Sequence, residues 1–168
     1  MLQYPSMKRK LIILGAKIAI ICLSIYVLFF CIFGFSRIST YAMAPNMTGG
    51  DLAFYYRLGN DYEIGDVVTF RRDGKRYFMR VVAKEGSNVS IRNGLLFVDD
   101  IPENDSHVFM GETSDQNAKV NLPYYVENGA LFLMGDNRDE DEGSHVFGAV
   151  KIDEIDGKVI SILRTREV

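Results

Sequence analysis

The amino-acid sequence predicts a mainly β protein: an antiparallel β domain behind one N-terminal transmembrane helix. Three features carry the prediction: a long apolar run near the N-terminus, short alternating segments after it, and Asp-Gly or Asn-Gly pairs dividing those segments. At 168 residues, with 48% hydrophobic and 12% aromatic side chains, the chain can close one core and still carry an accessory segment.

The apolar run extends from Leu11 to Phe35 and holds a single charge, Lys17. Ile18 to Phe35 is uncharged throughout, eighteen residues that at roughly 1.5 Å each approach the ~30 Å hydrocarbon thickness of a bilayer. A secretory signal would be shorter and would end at a small-x-small cleavage site, whereas this run passes into Phe33-Gly34-Phe35-Ser36-Arg37. The expected division is a basic cytoplasmic tail over residues 1–10, a transmembrane helix over 11–36 and an exported domain over 37–168. Lys17 lies near the inner end, within snorkelling reach of the headgroups.

Charge sets the expected orientation. Lys8, Arg9, Lys10 and Lys17 give the first 36 residues +4, while the remainder carries net −7, for the chain's −3. Basic residues flanking a membrane helix stay inside, which places the N-terminus in the cytoplasm and the C-terminal domain outside a single-pass cell membrane protein. An acidic domain of this kind argues against nucleic-acid binding. Both cysteines, Cys22 and Cys31, fall in the apolar run, so the exported part has no disulfide or thiolate site. With only His107 and His145, a histidine-rich metal cluster is also unavailable, and no cofactor is implied.

Past the helix the turns are legible. Asp73-Gly74 separates Val67–Phe70 from Tyr77–Val82, and Asn93-Gly94 separates Val89–Ile91 from Leu95–Val98. Asn or Asp followed by Gly tolerates the positive φ angles of tight hairpin turns. Asn128-Gly129 introduces Ala130–Met134, an apolar run expected as a buried strand, and Gly157–Leu163 supplies a last strand. Residues 99–123, polar and aperiodic, are expected as surface loop, with no convincing helix beyond the anchor.

Three segments carry the functional signal, in this order: Ala42-Met43-Ala44-Pro45, then Phe78-Met79-Arg80-Val81-Val82, then Gly135-Asp136-Asn137-Arg138. With Gly65-Asp66-Val67-Val68 ahead of the second, they resemble the boxes of the type I signal peptidases from about Thr40 to about Ile152. In that family the first box reads S-M-x-P-T and holds a serine nucleophile, the second reads K-R-V/I-V/I and holds a lysine base, and the third reads G-D-N-R-x-x-S-x-D-S-R. The resemblance implies a Ser/Lys dyad, because serine attacks a carbonyl only with a base in reach and lysine serves as base only when burial lowers its pKa.

Ala42 stands at the serine position and Met79 at the lysine position. A register shifted by one residue places no lysine there either. Asn46 replaces the threonine after Pro45, Asp141 falls on a serine that helps orient the lysine, Gly143 on the aspartate and His145 on the second arginine. Ser144 is kept, and Thr40 matches a hydroxyl that contributes to the oxyanion hole in some members. Alanine has no nucleophile and methionine no ionisable proton, so the family's mechanism is expected to be lost. Ser39, Thr40 and Ser144 remain candidate replacement nucleophiles, with His145 or Asp141 as bases, set against ordinary readings of linker hydroxyls and a surface or hydrogen-bonded histidine. Met43 and Pro45 also fit an apolar turn dipping toward the bilayer. Arg138 fits a structural ion pair, and Asp139-Glu140-Asp141-Glu142 a solvated acidic loop.

The resemblance to the short Gram-positive form, in members lacking both dyad residues, implies a chaperone-like factor for assembling surface proteins or sortase-built pili. The implied partners are membrane lipid through the helix, a pilin or another exported protein, and a sortase. An extended partner segment would lie in the former substrate cleft by edge-strand addition. The alternatives are an active signal peptidase with an unrecognised dyad and a decoy that holds signal peptides.

Overall fold

The structure, a computed structural model, describes residues 7–103, 108, 111–113, 118–140 and 142–165. Helix α1 (Met7–Tyr26) continues into a π-helical segment, Val27–Ile32. Together they form one helix, Met7–Ile32, of mean hydropathy 2.6, long and apolar enough to cross a membrane, with no residue of its apolar window buried against the rest of the protein. Its C-terminal boundary differs from the expected 11–36. Phe33 to Ser36 belong to strand β1 (Phe33–Arg37). Charge-free apolar residues continue across this junction, so hydropathy alone does not separate helix from half-buried strand; the change to period two at Phe33, Gly34, Phe35, Ser36 was the available signal.

The remaining strands are β2 (Leu52–Tyr56), β3 (Val67–Arg72), β4 (Lys75–Ala83), β5 (Asn88–Arg92), β6 (Leu95–Val98), β7 (Ile101–Pro102), β8 (Tyr124–Tyr125), β9 (Ala130–Met134), β10 (Val150–Lys151) and β11 (Ile155–Leu163). They form a seven-stranded sheet in the order β1-β2-β11-β3-β4-β9-β10 and a four-stranded sheet in the order β7-β6-β5-β8. The pairings are antiparallel. The only helix found after the N-terminal helix among the described residues longer than a single 3-10 turn is α2 (Ser144–Phe147).

Both expected hairpins form. Asp73 and Gly74 take φ of 52° and 75°, and Asn93 and Gly94 take 51° and 78°, the left-handed values that a two-residue hairpin turn needs. The expected strand over 130–134 is β9, buried at every position. The last strand starts two residues before Gly157 and runs through the middle of the large sheet, between β2 and β3.

Strand β4 organises the core because its side chains alternate between faces. Met79 and Val81 join Val68, Phe70, Leu131, Leu133 and Tyr62 on one face. Phe78 packs on the other with Ile38, Met43, Met47 and Ala53. Farther along, Val82 enters a third cluster with Val89, Ile91, Leu96 and Phe132, which joins the two sheets.

Candidate functional site

The Gly135-Asp136-Asn137-Arg138 segment follows β9 directly and is tied to three other parts of the chain. Asp136, 2% exposed, receives Arg80 Nε on Oδ1 at 2.7 Å and Arg80 Nη2 on Oδ2 at 2.6 Å. The same Oδ2 accepts a hydrogen bond from Asn46 Nδ2 at 2.9 Å, and Arg80 Nη1 donates to the Gly65 carbonyl at 2.6 Å. A fork-shaped guanidinium on a planar carboxylate is the geometry that makes such a pair directional. One carboxylate thereby fixes β4, the turn after Pro45 and the approach to β3.

Asn137 holds the Ala42 segment. Its backbone N–H donates to the Ala42 carbonyl at 2.9 Å and its Nδ2 donates to the Tyr41 carbonyl at 3.3 Å. Gly135 is needed for this approach, since a Cβ there would stand 2.5 Å from the Ala42 carbonyl oxygen. Arg138 is buried, donating to the Gly135 carbonyl at 3.0 Å and to Thr113 Oγ1 at 2.6 Å, and it pairs with Glu103. The ion-pair reading of Arg138 therefore matches its contacts.

Ala42 is 1% exposed and Met79 0%. Met79 enters the cluster on one face of β4, while Ile38, Met43, Met47 and Phe78, the cluster on the opposite face that takes in Ala42's chain neighbour Met43, are each buried to 2% or less. Met43 packs in this cluster rather than dipping outward, while Pro45, joined to Ala44 by a cis peptide bond, is exposed. Met79 sits in the neighbouring cluster and is the residue immediately before Arg80, as Ala42 is the residue held by Asn137. Both dyad positions are thus one step from the same Asp136–Asn137 clamp.

Of the candidate replacement nucleophiles, Ser39 is exposed and Thr40 half-buried in the segment after β1. Ser144 is 0% exposed, and its Oγ accepts the Leu133 backbone N–H at 2.9 Å, a structural duty inside the fold. His145 is buried at 3%, so of its two ordinary readings, surface or hydrogen-bonded, the surface one is corrected. Asp141 lies outside the described residues. Within the acidic stretch Glu142 pairs with Lys75, and this hydrogen bond raises the Lys75 pKa above its ordinary value. Burial raises the Tyr62 hydroxyl as well.

Sequence reasoning named Arg80, Asp136 and Asn46 separately but missed that they form one clamp; a basic residue on a strand and an acidic residue after another strand were the only signal. It also missed Asp51, 4% exposed, which caps the turn after Met47 by accepting the Thr48 N–H at 3.0 Å and hydroxyl at 3.2 Å.

This fold and clamp define a signal-peptidase-type β domain behind an apolar helix. A family model described as "Signal peptidase, peptidase S26" matches residues 11–163, and the chain belongs to that family. It is 26% identical over 123 residues to the "Inactive signal peptidase IA" of Staphylococcus aureus, covering 70% of this chain and 71% of that one. It is 27% identical over 138 residues to thylakoidal processing peptidase 1 of Arabidopsis thaliana, covering 71% of this chain but 38% of that one. A probable signal peptidase I-1 of Synechocystis is 26% identical over 121 residues, with coverage of 64% and 59%. The chain thus spans less than two thirds of the length of each of those last two proteins. A crystal structure of a signal peptidase I from Enterococcus faecalis V583 superposes with a TM-score of 0.50 at 21% identity, covering 60% of this chain and 97% of that one, which shows the shared fold.

Proposed function

We propose that this chain is a non-catalytic member of the signal peptidase family, anchored in the cell membrane with its N-terminus inside, that acts outside as a chaperone-like assembly factor for surface proteins or sortase-built pili. The observation that carries the proposal is the pair Ala42 and Met79, which supply neither nucleophile nor base and are sealed at 1% and 0% exposure. The likeness to a staphylococcal homologue named inactive supports it. Of the candidate replacement hydroxyls, Ser144 is committed to the Leu133 amide.

With both dyad positions buried, the partner would bind on the surface beside them. A cleft of about 290 Å³ opens between Gly65-Asp66-Val67 and Val159–Ile162, floored by Met47 from the turn that carries Ala42. The last register pair between β11 and β3 is Lys158 with Val68, so beyond it the two strands diverge around this cleft. An extended segment of a pilin or another exported protein would add to β11 there, with backbone hydrogen bonds for affinity and the apolar floor for selectivity.

The test is photocrosslinking in intact cells from residues that are exposed: Tyr41 at 57% and Ile160 at 52%, with Tyr125 at 61% in the small sheet as control. The expected result is adducts with an exported surface protein or a sortase from positions 41 and 160 and none from 125. Equal adducts from all three positions, or none, would remove this reading.

A further inference from the structure

The loop over residues 57–66, between β2 and β3, borders two cavities. Gly65 and Asp66 line the cleft beside β11, whereas Asp61 and Tyr62 line a separate cavity of about 180 Å³ that shares no residue with that cleft. The loop is fixed at its end. The Gly65 N–H donates to the Val81 carbonyl at 2.8 Å, and the Val81 N–H donates to the Asp66 carbonyl at 2.8 Å. The other wall is tied through Gly129, whose N–H donates to Glu85 and whose carbonyl accepts the Ile152 N–H at 2.9 Å.

Tyr62 belongs to both the core and the cavity. Its ring packs with Val68, Leu131 and Val150, and the residue is 3% exposed, yet it lines the cavity. The hydroxyl has no hydrogen-bond partner among the described residues, and it is not one of the polar atoms shut away from solvent. Buried hydroxyls are normally satisfied, so the partner of this one comes from the cavity.

The remaining lining selects the chemistry of that partner. Leu131 and Ile152 give an apolar floor, with Asp61, Lys84 and Glu85 around it. Lys84 Nζ lies 3.5 Å from Glu63 Oε1, which matches its charge. Asp61 has no ion pair among the described residues, so the rim carries surplus negative charge. An anion would be repelled there, and a wholly apolar group would leave the Tyr62 hydroxyl unpaired. No cluster among the described residues is suited to a metal ion. A methylene stem ending in an ammonium satisfies both floor and rim. The volume lies below the roughly 300–1,000 Å³ of sites for drug-sized molecules and suits a single side chain.

We propose that this cavity takes a lysine side chain of a partner protein, its stem on Leu131 and Ile152 and its ammonium donating to the Tyr62 hydroxyl and to the carboxylates of Asp61 and Glu85. The protein origin of the lysine rests on the assembly role proposed above; the chemistry of the cavity does not.

The test is methyl NMR on the full-length chain, labelled at leucine and isoleucine methyls and held in phosphatidylcholine nanodiscs. It is titrated separately with Nα-acetyl-lysine methylamide, with the norleucine and glutamate counterparts, and with the free diamine cadaverine. The expected result is saturable shifts at Leu131 and Ile152 with the lysine probe and none with norleucine or glutamate. Tyr62→Phe should weaken that binding about tenfold or more, the worth of one hydrogen bond to a charged group. Asp61→Asn, at an exposed position that the core does not need, should weaken it as well. Absence of shifts with the lysine probe overturns the proposal, and so do equal shifts with norleucine or binding unchanged by Asp61→Asn. Shifts with cadaverine but not with the lysine probe mean a free amine and also overturn it. None of these failures touches the crosslinks from Tyr41 and Ile160, which test the assembly role by themselves.

Discussion

The Arg80 guanidinium grips both oxygens of the Asp136 carboxylate, at 2.7 and 2.6 Å, joining the middle of β4 to the segment that follows β9. Their side chains are 13% and 3% exposed, so solvent screens the pair little. Removing one partner leaves the other as an uncompensated buried charge. Arg80→Ala is expected to cost about 3–5 kcal/mol in chemical denaturation of the detergent-solubilised chain. Arg80→Lys should recover only part of that, because an ammonium cannot reproduce the fork that also reaches the Gly65 carbonyl.

Restoring the family's dyad should not restore an enzyme. A lysine at position 79 enters a site 0% exposed among Val68, Phe70, Val81 and Leu133, where burial lowers its pKa and its polar end costs several kcal/mol if unpartnered, on the order of 2–7. Serine at position 42 would be sealed at the present 1% exposure. The double variant Ala42→Ser, Met79→Lys is expected to be less stable than wild type and to leave a secretory precursor intact. Cleavage by the double variant would show that peptide reaches position 42.

Ser144 is expected to matter for stability and not for chemistry. Ser144→Ala strands the buried Leu133 N–H, a loss of about 1–3 kcal/mol. Thermal melts would record the loss, and crosslinking from Tyr41 at a temperature well below the melt should remain unchanged.

Tyr62 gives the fold an alkaline limit. Its ordinary pKa is 10.0, and burial raises the folded value because the charged phenolate is disfavoured among apolar neighbours. Above pH 10.0 the unfolded chain releases this proton first, so the folded state binds more protons and stability falls as pH rises through the folded value. Lys75, raised by its hydrogen bond to Glu142, contributes in the same alkaline direction. Stability measured against pH should decline from about pH 10 upward, and Tyr62→Phe should flatten that decline.

The elements that depend on local chemistry were legible in the sequence. The hairpins at Asp73-Gly74 and Asn93-Gly94 form because those pairs accept positive φ, and β9 is buried because five successive apolar residues leave no polar face. Strand β1 was not legible, since Phe33 to Phe35 continue the helix's hydropathy and only their pairing with Tyr56 and Phe54 makes them a strand. Strand β2 escaped as well: Leu52–Tyr56 is short and wholly apolar or aromatic, although Gly49-Gly50 precedes it and its burial alternates. In the site, the motif residues were found by resemblance, but the clamp joining Arg80, Asp136 and Asn46 spans contacts up to 90 residues apart. No local pattern encodes such a contact. The burial of His145 was equally invisible, because it depends on α2 packing against β9.

The central claim is that this member of the family does not cut. The direct measurement is incubation of the wild-type chain, reconstituted in lipid, with a radiolabelled secretory precursor bearing a small-x-small cleavage site, alongside an active signal peptidase. The account predicts an intact precursor with this chain over times that fully process it with the active enzyme. Specific cleavage at that site, abolished by replacing Ser39 or Thr40, would contradict it.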